Sequence, residues 1–404
     1  MRVLLVGSGG REHALAWKLA QSPSLTSLHA APGNPGIAAL GTCHPVRADD
    51  GEGLLALARS LAVDLVVVGP ETPLVAGVGD TLRHAGLAVF GPSAAAAQIE
   101  GSKSFAKEVL RAAGVPTAGA LAVARLPCVV KTDGLAAGKG VWVCHTPEEL
   151  DAALRGAAGH GPRMVIEELL QGEELSLFAL VDGKDVVALP EARDYSRVGD
   201  GDTGPNTGGM GAYSPVANVP DPHELVELLI APVIEELARR GSPFVGCLYA
   251  GLMLTAEGPR VLEFNCRFGD PETQSLLPRL EGDLLAALAA AATGRVTSAE
   301  IVAGDESAVT VVLAGGSYPE QGDSGTPIEG VEAAEAEGAV VFHAGTALRD
   351  GALVTNGGRI LNVTALGPSI VEARELAYRA AARVSFSGVR YRHDIAEEAA
   401  HVVE

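Results

Sequence analysis

Cysteine is scarce in this chain: five in 404 residues, at Cys43, Cys128, Cys144, Cys247 and Cys266, with no Cys-x-x-Cys pair. An odd, scattered set argues against a disulfide framework or a structural zinc site, and fits reduced thiols in a cytoplasm. Long apolar runs are also missing. A membrane-spanning helix needs about 20 consecutive apolar residues, so no membrane partner is expected. The apolar start Val3-Leu4-Leu5-Val6 is too short for a signal peptide and soon meets Arg11-Glu12-His13. Positive charge is short as well: 30 lysines and arginines stand against 50 aspartates and glutamates, a formal charge of −20. That balance argues against nucleic acid as a partner. Small anionic ligands stay open, because surface fields are screened over about 8–10 Å and local lysines can dominate a cleft.

What is present points to a multi-domain α/β chain. Its length exceeds what one core usually serves, so two to four domains are expected. Strand signals at 3–6, 64–68 and 87–90 alternate with helix signals such as 11–21, which implies a parallel sheet with ligand-facing loops after its strands. Residues 94–113 read as one helix stopped by Gly114 and Pro116. Short strands at 309–313, 340–344 and 359–363, then a helix near 371–384, suggest a compact C-terminal α/β unit.

The most informative stretch is Lys131-Thr132-Asp133-Gly134-Leu135-Ala136-Ala137-Gly138-Lys139-Gly140, set between the apolar runs Cys128-Val129-Val130 and Val141-Trp142-Val143. It reads as a glycine-rich loop joining two strands, with backbone N–H groups and two lysines suited to a polyphosphate. It is not a P-loop: the spacing is one residue short, Gly140 stands where Ser or Thr would hold magnesium, and a strand follows.

Val261-Leu262-Glu263-Phe264-Asn265-Cys266-Arg267 is the second strong signal. Alternation along a strand puts Glu263, Asn265 and Arg267 on one face. A carboxylate and an amide oxygen suit magnesium, and Arg267 can hold a carboxylate or phosphate. An exposed polar sheet face would look the same. Asp270, before Pro271, is either a ligand residue or a helix N-cap, with Glu272 favouring the helix dipole.

Weaker signals surround these. Gly7-Ser8-Gly9-Gly10-Arg11-Glu12-His13 follows the first strand but departs from G-x-G-x-x-G, which disfavours a dinucleotide and leaves phosphate at the helix N-terminus open. Glu71 ends a buried strand at the ligand edge. Glu167 and Glu168 end another, before a segment that can form an adenine hinge. Residues 202–215 are too rich in glycine and polar groups for a core element, and read as a substrate-contacting or merely flexible loop. Residues 355–359 read as a turn entering a strand.

In this order the segments 7–13, 31–34, 69–71, 101–103, 131–141, 202–215, 263–274, 343–346 and 355–359 resemble the glycinamide ribonucleotide synthetase family of the ATP-grasp superfamily, over essentially the whole chain. The resemblance implies three parts: an N-terminal parallel-sheet α/β domain over 1–100, an ATP-grasp domain over 101–305 with a small lid at about 117–175, and a C-terminal α/β domain over 306–404. It implies that ATP activates glycine as an acyl phosphate for attack by 5-phosphoribosylamine, with Mg²⁺ or Mn²⁺ as cofactor, in a cytoplasmic monomer.

By the same resemblance, Lys103, Lys131 and Lys139 contact ATP phosphates under a loop containing Gly138 and Gly140. Glu167, Glu168 and Leu170 form the adenine hinge, and Glu174 meets the ribose. Glu263 and Asn265 bind the metal, while Arg267 and Asp270 orient glycine and the attacking amine. Gly10, Arg11, Glu71 and Arg359 hold phosphoribosylamine, with Asp194, Asp202, Asn206, Gly208 and Gly209 as further substrate contacts.

Three departures from the family pattern stand out. The chain is short between Pro116 and Lys131, where relatives carry a helix, so a thinner lid is expected. Arg193-Asp194-Tyr195-Ser196-Arg197 replaces Gln-Asp-x-Lys-Arg. Ala396 replaces a glycine, which is expected to be a minor packing change. Three alternatives remain: an ATP-grasp enzyme that activates formate or bicarbonate, a nucleotide-binding regulator without catalysis, and an oxidoreductase.

Overall fold

The structure, a computed structural model, describes residues 1–136, 140–159, 161 and 163–401. Its first layer is a five-stranded parallel sheet in the order Thr42–Cys43, Ser27–Pro32, Arg2–Gly7, Leu65–Val68, Val89–Phe90. Val3, Leu4, Leu5 and Val6 are wholly buried, which is why this strand reads as a continuous apolar run. The helices Gly10–Leu19 and Glu71–Val75 leave the carboxyl ends of adjacent strands, bringing Arg11 and Glu71 to one sheet edge.

Residues 94–113 form two helices, Ala94–Gly101 and Lys103–Ala113, instead of the single one expected. Ser102 takes an extended backbone between them, and its side chain accepts from the Phe105 amide as an N-cap. The break sets Lys103 at a helix start beside the glycine loop.

The central layer is an antiparallel sheet in the order Val186–Ala188, Glu173–Asp182, Val245–Thr255, Gly258–Asn265. Above it a three-stranded sheet, Val141–Cys144, Cys128–Thr132 and Met164–Glu168, carries the helix Pro147–Ala158. Cys128, Val130, Cys144, Ala153 and Ala157 form the small core of this lid. Among the described residues 117–126 there is no helix. The segment runs along the lid instead: the Leu121 amide donates to the Ile166 carbonyl at 2.8 Å, and the Glu168 amide to the Gly119 carbonyl at 3.0 Å. At its other end the Thr117 hydroxyl donates to the Val261 carbonyl at 2.6 Å, so the shortened segment stitches lid to central sheet.

The last layer is an antiparallel sheet in the order Arg193–Asp194, Gly211–Ser214, Ser307–Ala314, Arg359–Gly367, Val340–His343, backed by the helix Ile370–Ala381. It draws strands from both sides of residue 305. Part of the polar 202–215 segment is therefore core after all, since Gly211–Ser214 is fully buried between neighbours. Glycine makes this possible: a Cβ at Gly211 would come within 2.7 Å of the Thr310 carbonyl oxygen and of Ile395 Cδ1. Polarity reads as surface only when the backbone is not paired, and here it is. Residues 355–357 likewise belong to the strand Ala352–Gly357 and not to a turn.

Ala396 has φ of +59°, the left-handed region that favours glycine, so an alanine there carries backbone strain and the exchange is more than a packing change. No helix among the described residues is long and apolar enough to cross a membrane.

The tight approach at Gly211 yields a stability prediction. Gly211→Ala should destabilise the protein by about 1–3 kcal/mol, because a backbone carbonyl cannot move aside as a side chain can. Thermal unfolding of the two proteins measures it; an unchanged melting temperature would refute the packing account.

Candidate functional site

The three layers and the lid enclose one large cleft of about 1480 Å³. Of the residues expected at the site, Arg11, Glu71, Lys103, Lys131, Gly140, Glu167, Glu168, Leu170, Glu174, Asp194, Asp202, Asn206, Gly208, Glu263, Asn265, Arg267, Asp270 and Arg359 all line it. Gly10 and Gly209 lie just behind the wall. A Cβ on Gly10 would meet the amides of Asn362 and Gln274, and one on Gly209 would meet Pro271. Gly138 and Lys139 lie outside the described residues.

At the lid end, Lys131 is buried, and its ammonium sits 2.9 Å from Glu167 and 2.8 Å from the Leu262 carbonyl. Glu167 bonds Lys107 on its other oxygen at 2.7 Å. Its carboxylate thus holds the two lysines. Lys103 donates to the Gly134 carbonyl at 3.2 Å, tying the helix start to the glycine loop. Asp133 fixes the loop entry by accepting from the Ser102 and Ser104 hydroxyls at 3.0 and 2.6 Å.

Glu263 is exposed to the cleft, with no ion pair or hydrogen bond among the described residues. Asn265 lies on the same strand, its Oδ1 taken on one side by Arg267 at 3.2 Å. This donor set fits a hard divalent ion that keeps most of its coordination for water and phosphate oxygens. No group of three or more His, Cys, Asp or Glu able to cage a metal occurs among the described residues.

At the opposite end the charges interlock. Arg267 reaches Glu71 at 3.2 Å and Glu100 at 3.3 Å. Burial would raise the Glu71 carboxyl, but Arg267 and then Arg11 hold it down to about 2. Glu100 goes the other way, raised by burial despite Arg267. Asp270 faces Arg359 at 3.3 Å and accepts from Gln274 at 2.8 Å, while the following helix, Glu272–Leu276, has no side-chain cap. The N-cap alternative for Asp270 therefore falls away. Arg359 also donates to the carbonyls of Gly208 and Asp270, binding the 207–209 turn to this wall.

Sequence reasoning missed Glu272, a buried carboxyl 4% exposed, read there only as a helix-dipole residue. Its Oε2 has no hydrogen-bond partner among the described residues. Burial and then Asp194 push its carboxyl up, and burial and then Glu174 do the same for Asp194. Two carboxyls with raised affinity for protons line the cleft together. The signal was available in the 263–274 run, but only the third dimension brings Asp194 to it.

A raised carboxyl carries a sign. The folded chain binds the Glu272 proton more tightly than the unfolded chain does. That contribution is complete at acid pH below the ordinary carboxyl range and is lost as pH rises through the raised value. Unliganded Glu272→Gln should melt above the parent protein at about pH 8, with the gap closing toward about pH 5. Equal melting curves at both pH values would contradict the buried-acid account.

Comparison with known proteins bears on the whole chain. Family models match residues 1–100 as the phosphoribosylglycinamide synthetase N domain, 101–273 as its ATP-grasp (A) domain, and 308–398 as its C domain. The phosphoribosylamine–glycine ligase of Streptomyces coelicolor is 51% identical over 419 aligned residues, covering 99% of this chain and 100% of that one. That of Agrobacterium fabrum is 50% identical, covering 99% of each. Both alignments are longer than this chain, so these relatives carry residues that it lacks. The crystal structure of phosphoribosylamine–glycine ligase from Thermotoga maritima superposes with a TM-score of 0.85 at 35% identity, covering 98% of this chain and 100% of that one. N5-carboxyaminoimidazole ribonucleotide synthetase from the same organism shares the fold at a TM-score of 0.64 and 18% identity, covering 95% of this chain and 99% of that one.

Proposed function

The chain belongs to the phosphoribosylglycinamide synthetase family, and from that premise we propose how its cleft divides the work of ligation. It is an ATP-dependent ligase of purine biosynthesis that joins glycine to 5-phosphoribosylamine, giving glycinamide ribonucleotide, ADP and phosphate. The observation that carries the division of roles is the single cleft, with lid lysines at one end, an arginine–carboxylate wall at the other, and Glu263 with Asn265 between them.

A carboxylate is a poor acyl donor, so glycine is first converted to glycyl phosphate at the expense of ATP. The amine of phosphoribosylamine then attacks, and no protein nucleophile is needed. Catalysis lies in positioning and in neutralising charge on the transferred phosphoryl group. Lys103 and Lys131 meet the phosphates, Lys131 being aimed by Glu167. Glu168, Leu170 and Glu174 line the adenosine end, with Gly140 closing the loop and Gly138 and Lys139 as expected members of it. Glu263 and Asn265 would hold Mg²⁺ or Mn²⁺, which neutralises phosphate charge when bound.

Asp194 and Glu272 receive the glycine ammonium, which supplies the partner that the unbonded Glu272 oxygen lacks. Arg267 orients glycine from its fixed place between Glu71 and Glu100. Asp270 orients the attacking amine. Arg11, Glu71 and Arg359 hold the phosphoribosyl part, with Gly10, Asn206, Gly208 and Gly209 shaping that wall. The five cysteines are unpaired thiols, which supports a cytoplasmic setting.

Purified protein should release phosphate from ATP only when glycine and phosphoribosylamine are both present. Release with formate or bicarbonate in place of glycine would overturn the assignment. Glu263→Ala should lower turnover by roughly a hundredfold or more, since a charge-neutralising group at the phosphoryl site is lost. Its melting temperature should be unchanged, because Glu263 faces the cleft and not the core. Parental rates in this variant would refute the metal role.

A further inference from the structure

The largest of the fully buried side chains is an arginine, Arg392, 1% exposed and outside every role given above. It lies near the end of the C-terminal layer, yet its guanidinium points into the 197–206 hairpin of the central segment. Its Nε and Nη2 bond Asp394 at 2.7 and 2.6 Å. Its Nη1 bonds Asp202 at 2.6 Å and the Arg197 carbonyl at 3.1 Å. Its plane lies over the Tyr195 ring, 4.7 Å from the centroid.

Neighbouring residues extend the grip. Asp394 accepts from the Gly201 amide at 2.8 Å, Asp200 accepts from the His393 amide at 2.8 Å, and the Ala396 amide donates to the Tyr195 hydroxyl at 2.8 Å. The gripping segment is itself fixed. Tyr378 on the helix Ile370–Ala381 donates to the Arg392 carbonyl at 2.9 Å and accepts from the Ile395 amide at 3.0 Å. A rigid platform thus holds a hairpin tip that has little packing of its own.

The held element reaches each working part of the cleft. Tyr195 follows Asp194, the cation-receiving carboxylate, and the Ser196 hydroxyl donates to Asp194 at 2.9 Å. The Thr207 amide donates to the Ser196 carbonyl at 2.7 Å, setting the turn that Arg359 binds. Asn206 reaches the lid at the Val141 carbonyl, 3.4 Å away. Asp202, expected from sequence to touch substrate, is 70% exposed and gives one carboxylate oxygen to Arg392.

We propose that Arg392 is a positioning residue for the ligation, clamping the 197–206 hairpin so that Asp194, the 207–209 turn and the lid edge keep one register. Without the clamp the activated glycine loses its place relative to the amine. Water then attacks the acyl phosphate, returning glycine and releasing phosphate, and ATP is hydrolysed to ADP and phosphate without amide formation. This rests on the ligase reading above.

The test compares Arg392→Ala, Asp202→Asn and the double variant for phosphate released and glycinamide ribonucleotide formed. Arg392→Ala should lower kcat for amide formation by about tenfold or more, with KM for ATP within about twofold of the parent, because the defect is one of alignment. The ratio of phosphate to amide should rise above the parental ratio, and added guanidinium should partly restore it. Asp202→Asn should move both quantities in the same direction, and the double variant should be no worse than Arg392→Ala.

Asp202 is exposed, so if Arg392→Ala fails to fold, Asp202→Asn alone decides. Parental kcat and coupling in Asp202→Asn would overturn the proposal. So would additive losses in the double variant, or a loss in Arg392→Ala that merely follows its folded fraction. A parent protein that forms no amide from glycine and phosphoribosylamine would instead sink the ligase reading, a distinguishable result.

Discussion

The buried guanidinium of Arg267 is the interaction on which the rest depends. Glu71 brings it the edge of the parallel sheet, Glu100 the helix leading to the lid, and Asn265 its own strand in the central sheet. A buried charge is costly unless every direction is answered, so the parallel-sheet edge, the Ala94–Gly101 helix and the central sheet must meet at one point. The same contact helps keep Glu71 ionised, while burial, against the pull of Arg267, pushes Glu100 toward its neutral form. Fold and site are one constraint here.

Much of this was legible from residues alone. The apolar run Val3–Val6 declared a buried strand, and alternation along 261–267 put Glu263 and Asn265 on the cleft face. What stayed hidden shares one cause: a residue's role depended on a partner remote in sequence. Nothing in the run around Glu167 shows that Lys131 and Lys107 take both its carboxylate oxygens. Glu272 looks like a helix-dipole residue until Asp194 lies beside it. Asp202 gives no sign in sequence of its bond to Arg392. The glycine-rich polar stretch misled for a local reason, since Gly211 permits an approach that composition alone reads as looseness.

The lid shows how little structure such an element requires. One helix and three strands close a core of small residues, and the short connecting segment doubles as edge and seam. A capping box from Thr146 and Glu149 starts the helix cleanly. The 117–126 segment adds backbone pairing and the apolar contacts of Leu121 and Ala124 to that small core.

The C-terminal sheet has a consequence for synthesis. Gly211–Ser214 leaves the ribosome roughly ninety residues ahead of its partner Ser307–Ala314. At roughly 5–20 residues per second, that strand waits on the order of 5–20 s as an open edge. Such edges invite wrong partners. At four residues it is a short edge, which makes it a poor template for chance pairing while it waits.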